Sequence, residues 1–140
     1  MEVFHMISTK ARYALRVMID LAQNQEDKFI PLKEIALRQE ISEKYLEIII
    51  KTLVSGKMVV GLRGKGGGYM LTRAPEEYII GEIIELTDGP LSPVACLAPD
   101  AEECPRKDYC VTLPLWQKYE SLVRNFFYSI TLKDLIKGDF

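Results

Sequence analysis

The sequence predicts a mainly α-helical chain carrying one small β-hairpin, and three observations predict it. Apolar residues recur at three- and four-residue steps along most of the 140 residues, which is the mark of amphipathic helices. Two β-prone runs flank a glycine-rich turn, GKGGG at 64–68, as in a hairpin. Hydrophobic residues make up 48% and charged residues 27% of the chain, so one globular unit with its own core is expected, not a disordered chain.

The elements follow in order. Ser8 or Thr9 suits a helix N-cap, and Ala11, Ala14, Leu15, Met18, Leu21 and Ala22 then form one apolar face to about Asn24. Pro31 fits the first turn of a second helix, with Leu32, Ile35 and Ala36 on one face, ending near Gln39. Ser42 caps a third helix, whose apolar face is Leu46, Ile49, Ile50 and Leu53, and Gly56 is expected to end it as a C′ residue. Lys44, Glu47, Ile48 and Lys51 occupy the opposite face at the same spacing. Two short helices joined by a tight turn make a helix-turn-helix, and a hairpin following it, at 58–63 and 69–72, makes a wing. Pro75 closes that unit. A short helix spans 79–87, with Ile80, Ile83 and Ile84 inward. Thr112 is expected to cap a long helix to about Ser129, with Pro114 in its first turn. Thr131, with Asp134 at its third position, starts a last short helix. The predicted class is therefore a winged helix-turn-helix plus a long C-terminal dimerisation helix. Residues 1–75 form the reader and 76–140 the rest, within one compact domain of 6–136.

Charge divides the chain in the same way. Residues 1–73 hold 12 Lys/Arg against 8 Asp/Glu, net +4, and residues 74–140 hold 6 against 12, net −6. The N-terminal half is suited to a polyanion. There is no apolar run of 18 residues and no charged-then-apolar leader, so neither a membrane span nor a secretory signal is expected and the cytoplasm is the expected compartment.

A helix lying in a major groove presents three or four side chains to base edges. Lys44, Tyr45, Glu47, Ile48 and Lys51 are the candidates here, with Lys10 and Arg12 at the start of the first helix for phosphates. Arg63 and Lys65 are the wing candidates for phosphate or a narrow minor groove. Gly66 and Gly67 let backbone N–H groups approach phosphates closely. The glycine run lacks the G-x-x-x-x-G-K-S/T pattern and a following helix, so it is not read as a nucleotide loop. The only histidine is His5, no catalytic constellation is visible, and no enzyme is expected.

All three cysteines, Cys96, Cys104 and Cys110, fall within 15 residues, and Pro93, Pro99 and Pro105 keep that stretch from being one helix. An odd cysteine count in a reducing compartment argues for metal or redox chemistry over a disulfide framework. Thiolates hold iron–sulfur clusters and structural zinc, both of which usually take four protein ligands. Asp100, Glu102, Glu103, Asp108, another part of the chain or a second subunit could supply the fourth. The last long helix carries Leu115, Trp116, Tyr119, Leu122, Val123, Phe126 and Phe127, a stripe too wide for one small domain to cover. Trp116, Tyr119, Leu122, Val123 and Phe126 are the candidate dimer contacts.

The segments ISTKARYALRVMIDLA, ISEKYLEIIIKTL, LRGKGGGYMLTR, IIGEIIELTDGP, CVTLPLW and ITLKDLI, in this order, strongly resemble the Rrf family of winged-helix regulators. The resemblance runs from about Met6 to Ile136. It implies a homodimeric transcription regulator, usually a repressor, that binds a double-stranded DNA operator. It also implies that Cys96, Cys104 and Cys110 hold a 2Fe–2S or 4Fe–4S cluster, in a spacing similar to that of RirA-type members, which aerobic preparation can strip away. Glu47 and Arg63 match the family's recognition-helix glutamate and wing arginine. Three positions depart from relatives: Leu113 stands where IscR-type members keep a histidine, Arg12 where NsrR-type members keep an aspartate, and Ile48 where IscR has a glutamine. The expected mechanism is that loop order, set by the cluster, changes DNA affinity, with the loop packed between the 80–87 helix and the wing. Two other readings stand beside it: a cluster-free regulator sensing by thiol oxidation or a protein partner, and a zinc or redox protein using the fold for protein contacts.

Overall fold

The computed structural model describes residues 7–24 and 26–140; His5 and Met6 lie outside them. Helix α1 spans Thr9–Asn24 and buries Ala11, Ala14, Met18 and Leu21 as expected, with Val17 buried beside them and the expected Leu15 and Ala22 only half-buried. Of the two cap candidates, Ser8 takes the role, its Oγ accepting the N–H of Ala11 at 2.9 Å. Helix α2 spans Leu32–Gln39 and stops where Glu40 turns left-handed at φ 55. Helix α3 spans Glu43–Ser55, and the Oγ of Ser42 accepts the N–H of Tyr45 at 3.2 Å. Leu46, Ile49, Ile50 and Leu53 face inward as expected.

The end of α3 departs from expectation. Gly56 has φ −83, and Lys57 takes the left-handed position at φ 59. Glycine at 56 has another use: a Cβ there would meet Leu86 Cδ2 at 2.5 Å, so any larger residue would push the Leu86 side chain aside. The residue makes room for a neighbouring helix instead of permitting a turn.

Strands β1, Val59–Leu62, and β2, Gly68–Leu71, pair antiparallel with Val59 opposite Leu71 and Leu62 opposite Gly68. Ile30 bridges Tyr69 with reciprocal backbone bonds of 2.9 and 2.8 Å, which ties the hairpin to the segment leading into α2. A side chain at Gly68 would drive a Cβ to 2.2 Å from the carbonyl oxygen of Ile30, so the wing can sit this close only on glycine. Below the hairpin the fully buried Tyr78 donates its hydroxyl to the carbonyl of Met58 at 2.6 Å. The same oxygen accepts the N–H groups of Thr72 at 2.9 Å and Arg73 at 3.2 Å.

Helix α4 spans Ile80–Asp88 and buries Ile80, Ile83 and Ile84. Short 3₁₀ turns at Ala95–Leu97 and Lys107–Tyr109 carry the chain through the thiol segment. Helix α5 spans Leu113–Tyr128 and has no fully buried residue. Thr112 does not cap it with its side chain; its hydroxyl lies 3.5 Å from the Sγ of Cys110 instead. Helix α6 spans Leu132–Lys137, opened by the Thr131–Asp134 capping box as expected. An Ile79–Thr131 bridge holds the starts of α4 and α6 together. One apolar cluster, running from Ala14 through Leu46, Ile49 and Tyr78 to Ile83 and Leu132, unites α1–α4 with α6.

Candidate nucleic-acid interface and thiol cleft

Because α3 buries one face so completely, its other face is left to solvent: Lys44, Glu47, Ile48 and Lys51 are all exposed. Ile48 is 52% exposed, an apolar side chain open to contact among these charged neighbours. Tyr45 differs from these four. It is half-buried, its ring edge-on to Tyr13 of α1 with centroids 5.8 Å apart, and the Arg16 guanidinium lies 5.0 Å from the Tyr13 ring centre. Arg63, Lys65 and Gly66 stand exposed at the wing tip and Gly67 is half-buried. Lys10 is half-buried, while exposed Arg12 donates to the Thr9 hydroxyl at 2.9 Å.

Sequence reasoning missed what fixes the angle between α1 and the turn. Asp20 is buried at 1% exposure, where a carboxylate needs partners. Arg38 supplies two bonds, of 3.0 and 2.8 Å, and Gln39 a third of 2.9 Å. Arg16 then donates to the side chain and backbone carbonyl of Gln39. The Asp20 bond is the main cause raising the Arg38 guanidinium above its ordinary value, against the pull of partial burial. The available signal was one carboxylate inside an apolar run, VMIDLA; its partners, 18 and 19 residues away, leave no local mark.

The three cysteines are free thiols, Cys96 exposed and the other two half-buried. All three wall one cleft of about 390 Å³, together with Glu102, Glu103 and, from α5, Leu113 and Gln117. The cleft contains no wing residue, so the expected packing of the loop against the wing is not what its walls show. Beyond the loop itself the cleft is walled by Leu113 and Gln117 of α5, and the N–H of Leu91 reaches Glu85 of α4. Among the described residues, no three His, Cys, Asp or Glu side chains converge closely enough to hold a metal ion. The donor chemistry of the cleft, three thiols with two carboxylates, suits an iron–sulfur cluster in kind, and Leu113 offers no ligand where its first α5 turn meets the loop. The Cys110 thiol is held below its ordinary value, first by the Thr112 hydroxyl; burial opposes this, and the N–H groups of Leu113 and Thr112 with Arg106 add to the lowering. That favours the thiolate, the form that binds metal.

At the loop's entrance one carboxylate joins three segments. Glu85, late in α4, accepts the N–H of Leu91 at 2.9 Å and a guanidinium N–H of Arg124 at 2.8 Å, and it also accepts the Tyr128 hydroxyl. Burial pushes its acid up, and those three donors outweigh burial, leaving it below the usual carboxylate value.

On α5, Leu115, Tyr119, Leu122 and Phe126 are each at least half exposed. Their spacing of four, three and four residues puts them on one stripe. Trp116 and Val123 are half-buried beside it, and Phe127 turns inward onto the core. No helix among the described residues is long and apolar enough to cross a membrane.

The family profile "Rrf2: Iron-dependent Transcriptional regulator" matches residues 7–138. The chain is 33% identical over 132 residues to the HTH-type transcriptional regulator IscR of Pectobacterium carotovorum, covering 94% of this chain and 79% of that protein. Among solved structures, CymR, the global cysteine regulator of B. subtilis, aligns at 36% identity and a TM-score of 0.76, covering 96% of this chain and 98% of that one. T. potens IscR aligns at 33% identity and a TM-score of 0.74, covering 96% and 88%.

Proposed function

This chain belongs to the Rrf2 family of helix-turn-helix transcriptional regulators, and from that premise we propose that it is a homodimeric repressor whose grip on operator DNA is tuned by an iron–sulfur cluster. The observation that carries the cluster is the single cleft walled by Cys96, Cys104 and Cys110. Those three thiolates would hold the group, which supplies reversible redox and ligand-exchange chemistry when bound. The chain's own part is to order residues 91–110 around it and to ease deprotonation of Cys110 through the Thr112 hydroxyl.

Duplex binding belongs to α3 and the wing. Lys44 and Lys51 meet phosphate or guanine, Glu47 accepts from a cytosine amine, and Ile48 lies against a thymine methyl. Lys10, Arg12, Tyr45, Lys65 and the N–H groups of Gly66 and Gly67 fix the register on phosphates, and Arg63 enters the minor groove. Pairing belongs to α5. The four large apolar side chains of the exposed stripe are already about half-buried, so covering the rest is worth about half of the roughly 1.5–3 kcal/mol that full burial of each would give.

Strictly anaerobic purification, with visible absorbance and iron and sulfide assays, tests the cluster. Wild type should be coloured and Cys104→Ser colourless and iron-free. A wild-type protein that stays colourless and cannot be reconstituted overturns the cluster. A second reading is favoured by the absence of a closed metal site among the described residues: a regulator of the same family that senses by oxidation of its free thiols. It predicts duplex affinity that changes with thiol oxidation and not with iron.

A further inference from the structure

We propose that Glu85 is a coupling residue, which makes the conformation of the thiol loop and the seating of α4 on the reader helices one equilibrium instead of two. This deepens the reading above. Residues 91–110 bond outward through few groups. Among the described residues the loop's other hydrogen bonds close within it or on Thr112 and Leu113 at the start of α5, whereas the N–H of Leu91 reaches Glu85 in α4. Glu85 is 19% exposed and Arg124 41%, so the ion pair is partly open to water, and Glu85 is held by three donors together instead of by that pair alone. Tyr128 adds a packing constraint: a Cβ at Gly81 would sit 2.4 Å from its ring, so α5 rests directly on the α4 backbone.

The other sides of α4 touch the reader. Leu86, next to Glu85, occupies the space over Gly56 at the end of α3. Asp88 accepts both the N–H and the hydroxyl of Ser8 at the start of α1. A rearrangement at Leu91 that frees Glu85 therefore releases α5 and loosens the helix that positions both DNA-facing helices. Packed elements of this kind switch between discrete arrangements instead of deforming smoothly.

Linkage is reciprocal, so a loop that alters DNA binding must itself be altered by DNA. This can be read in the cluster-free full chain, by the rate at which iodoacetamide alkylates Cys96, Cys104 and Cys110. The rate is measured by peptide mass spectrometry with and without saturating duplex selected by the wild-type protein. In wild type the duplex should change the rates at least about fivefold. In Tyr128→Phe, which keeps the ring on Gly81, and in Arg124→Gln, that change should shrink to less than about twofold at saturating duplex. Rates that do not respond to duplex in wild type, or respond equally in both variants, overturn the coupling. Because no iron enters this measurement, a failed cluster assay is distinguished from a failed coupling.

Discussion

The Tyr78 hydroxyl is the most heavily used polar atom beneath the wing, and Tyr78→Phe isolates it. The ring is fully buried and stays in the variant, so packing is conserved and only hydrogen bonding changes. The substitution removes the donor to the Met58 carbonyl and the acceptor for the N–H groups of Thr72 and Arg73. Each buried group left unsatisfied costs about 1–3 kcal/mol. Thr72 is exposed and recovers water, so about two such penalties remain and the expected loss is about 2–6 kcal/mol. In a chain of 140 residues each kcal/mol lowers Tm by about 3 °C, giving a fall of roughly 6–18 °C. Urea and thermal unfolding should be compared at equal protomer concentration, because association stabilises a folded dimer by mass action. Tyr109→Phe, at 64% exposure, is the control and should stay within about 0.5 kcal/mol. If the two variants are equally stable, the hydroxyl network does not hold the wing.

Other outcomes follow from the same geometry. Lys51→Ala should weaken duplex binding evenly across sequences and lower the salt slope by about one, whereas Arg63→Ala should also relax discrimination at one position; titrations at several salt concentrations separate the two, and unchanged binding refutes the assignment. Leu122→Glu, at a position 59% exposed, should leave a folded protomer that sediments at half the wild-type mass. A full-mass species would place the pairing surface elsewhere. Asp134 is held below the usual carboxylate value, first by the backbone N–H of Thr131 and then by its hydroxyl. Its folded value is lowered, so its contribution is complete above the unfolded carboxylate value and is lost as pH falls through the folded one. The stability gap between wild type and Asp134→Ala should therefore be present at neutral pH and close in acid.

What the sequence made legible was whatever is decided within a few residues. Ser42 and the Thr131–Asp134 box cap their helices as their spacing says, and the face Lys44–Glu47–Ile48–Lys51 was visible because its complement is so regularly apolar. Gly56 and Thr112 were misread for one reason. A local rule named the residue correctly for a role it does not have, since the deciding atoms are Leu86 Cδ2, 30 residues on, and the Sγ of Cys110. Glu85 gave no sequence signal, because its partners Arg124 and Tyr128 lie 39 and 43 residues away. The cysteine loop was plain in composition, but its contacts with α4 and α5 depend on tertiary packing.

The shared apolar cluster bears on protein engineering. A hybrid that transplants the chain only as far as Pro75 would carry α1, α3 and the hairpin but leave behind Tyr78, Ile80, Ile83, Ile84, Ile130 and Leu132, all part of the same core. The transplanted piece would turn its own apolar floor to solvent and strip the hairpin of the Tyr78 hydroxyl. A portable reader therefore has to include α4 and the 130–132 stretch, so the graft must retain the connection through the thiol loop and α5 or replace it with a designed linker.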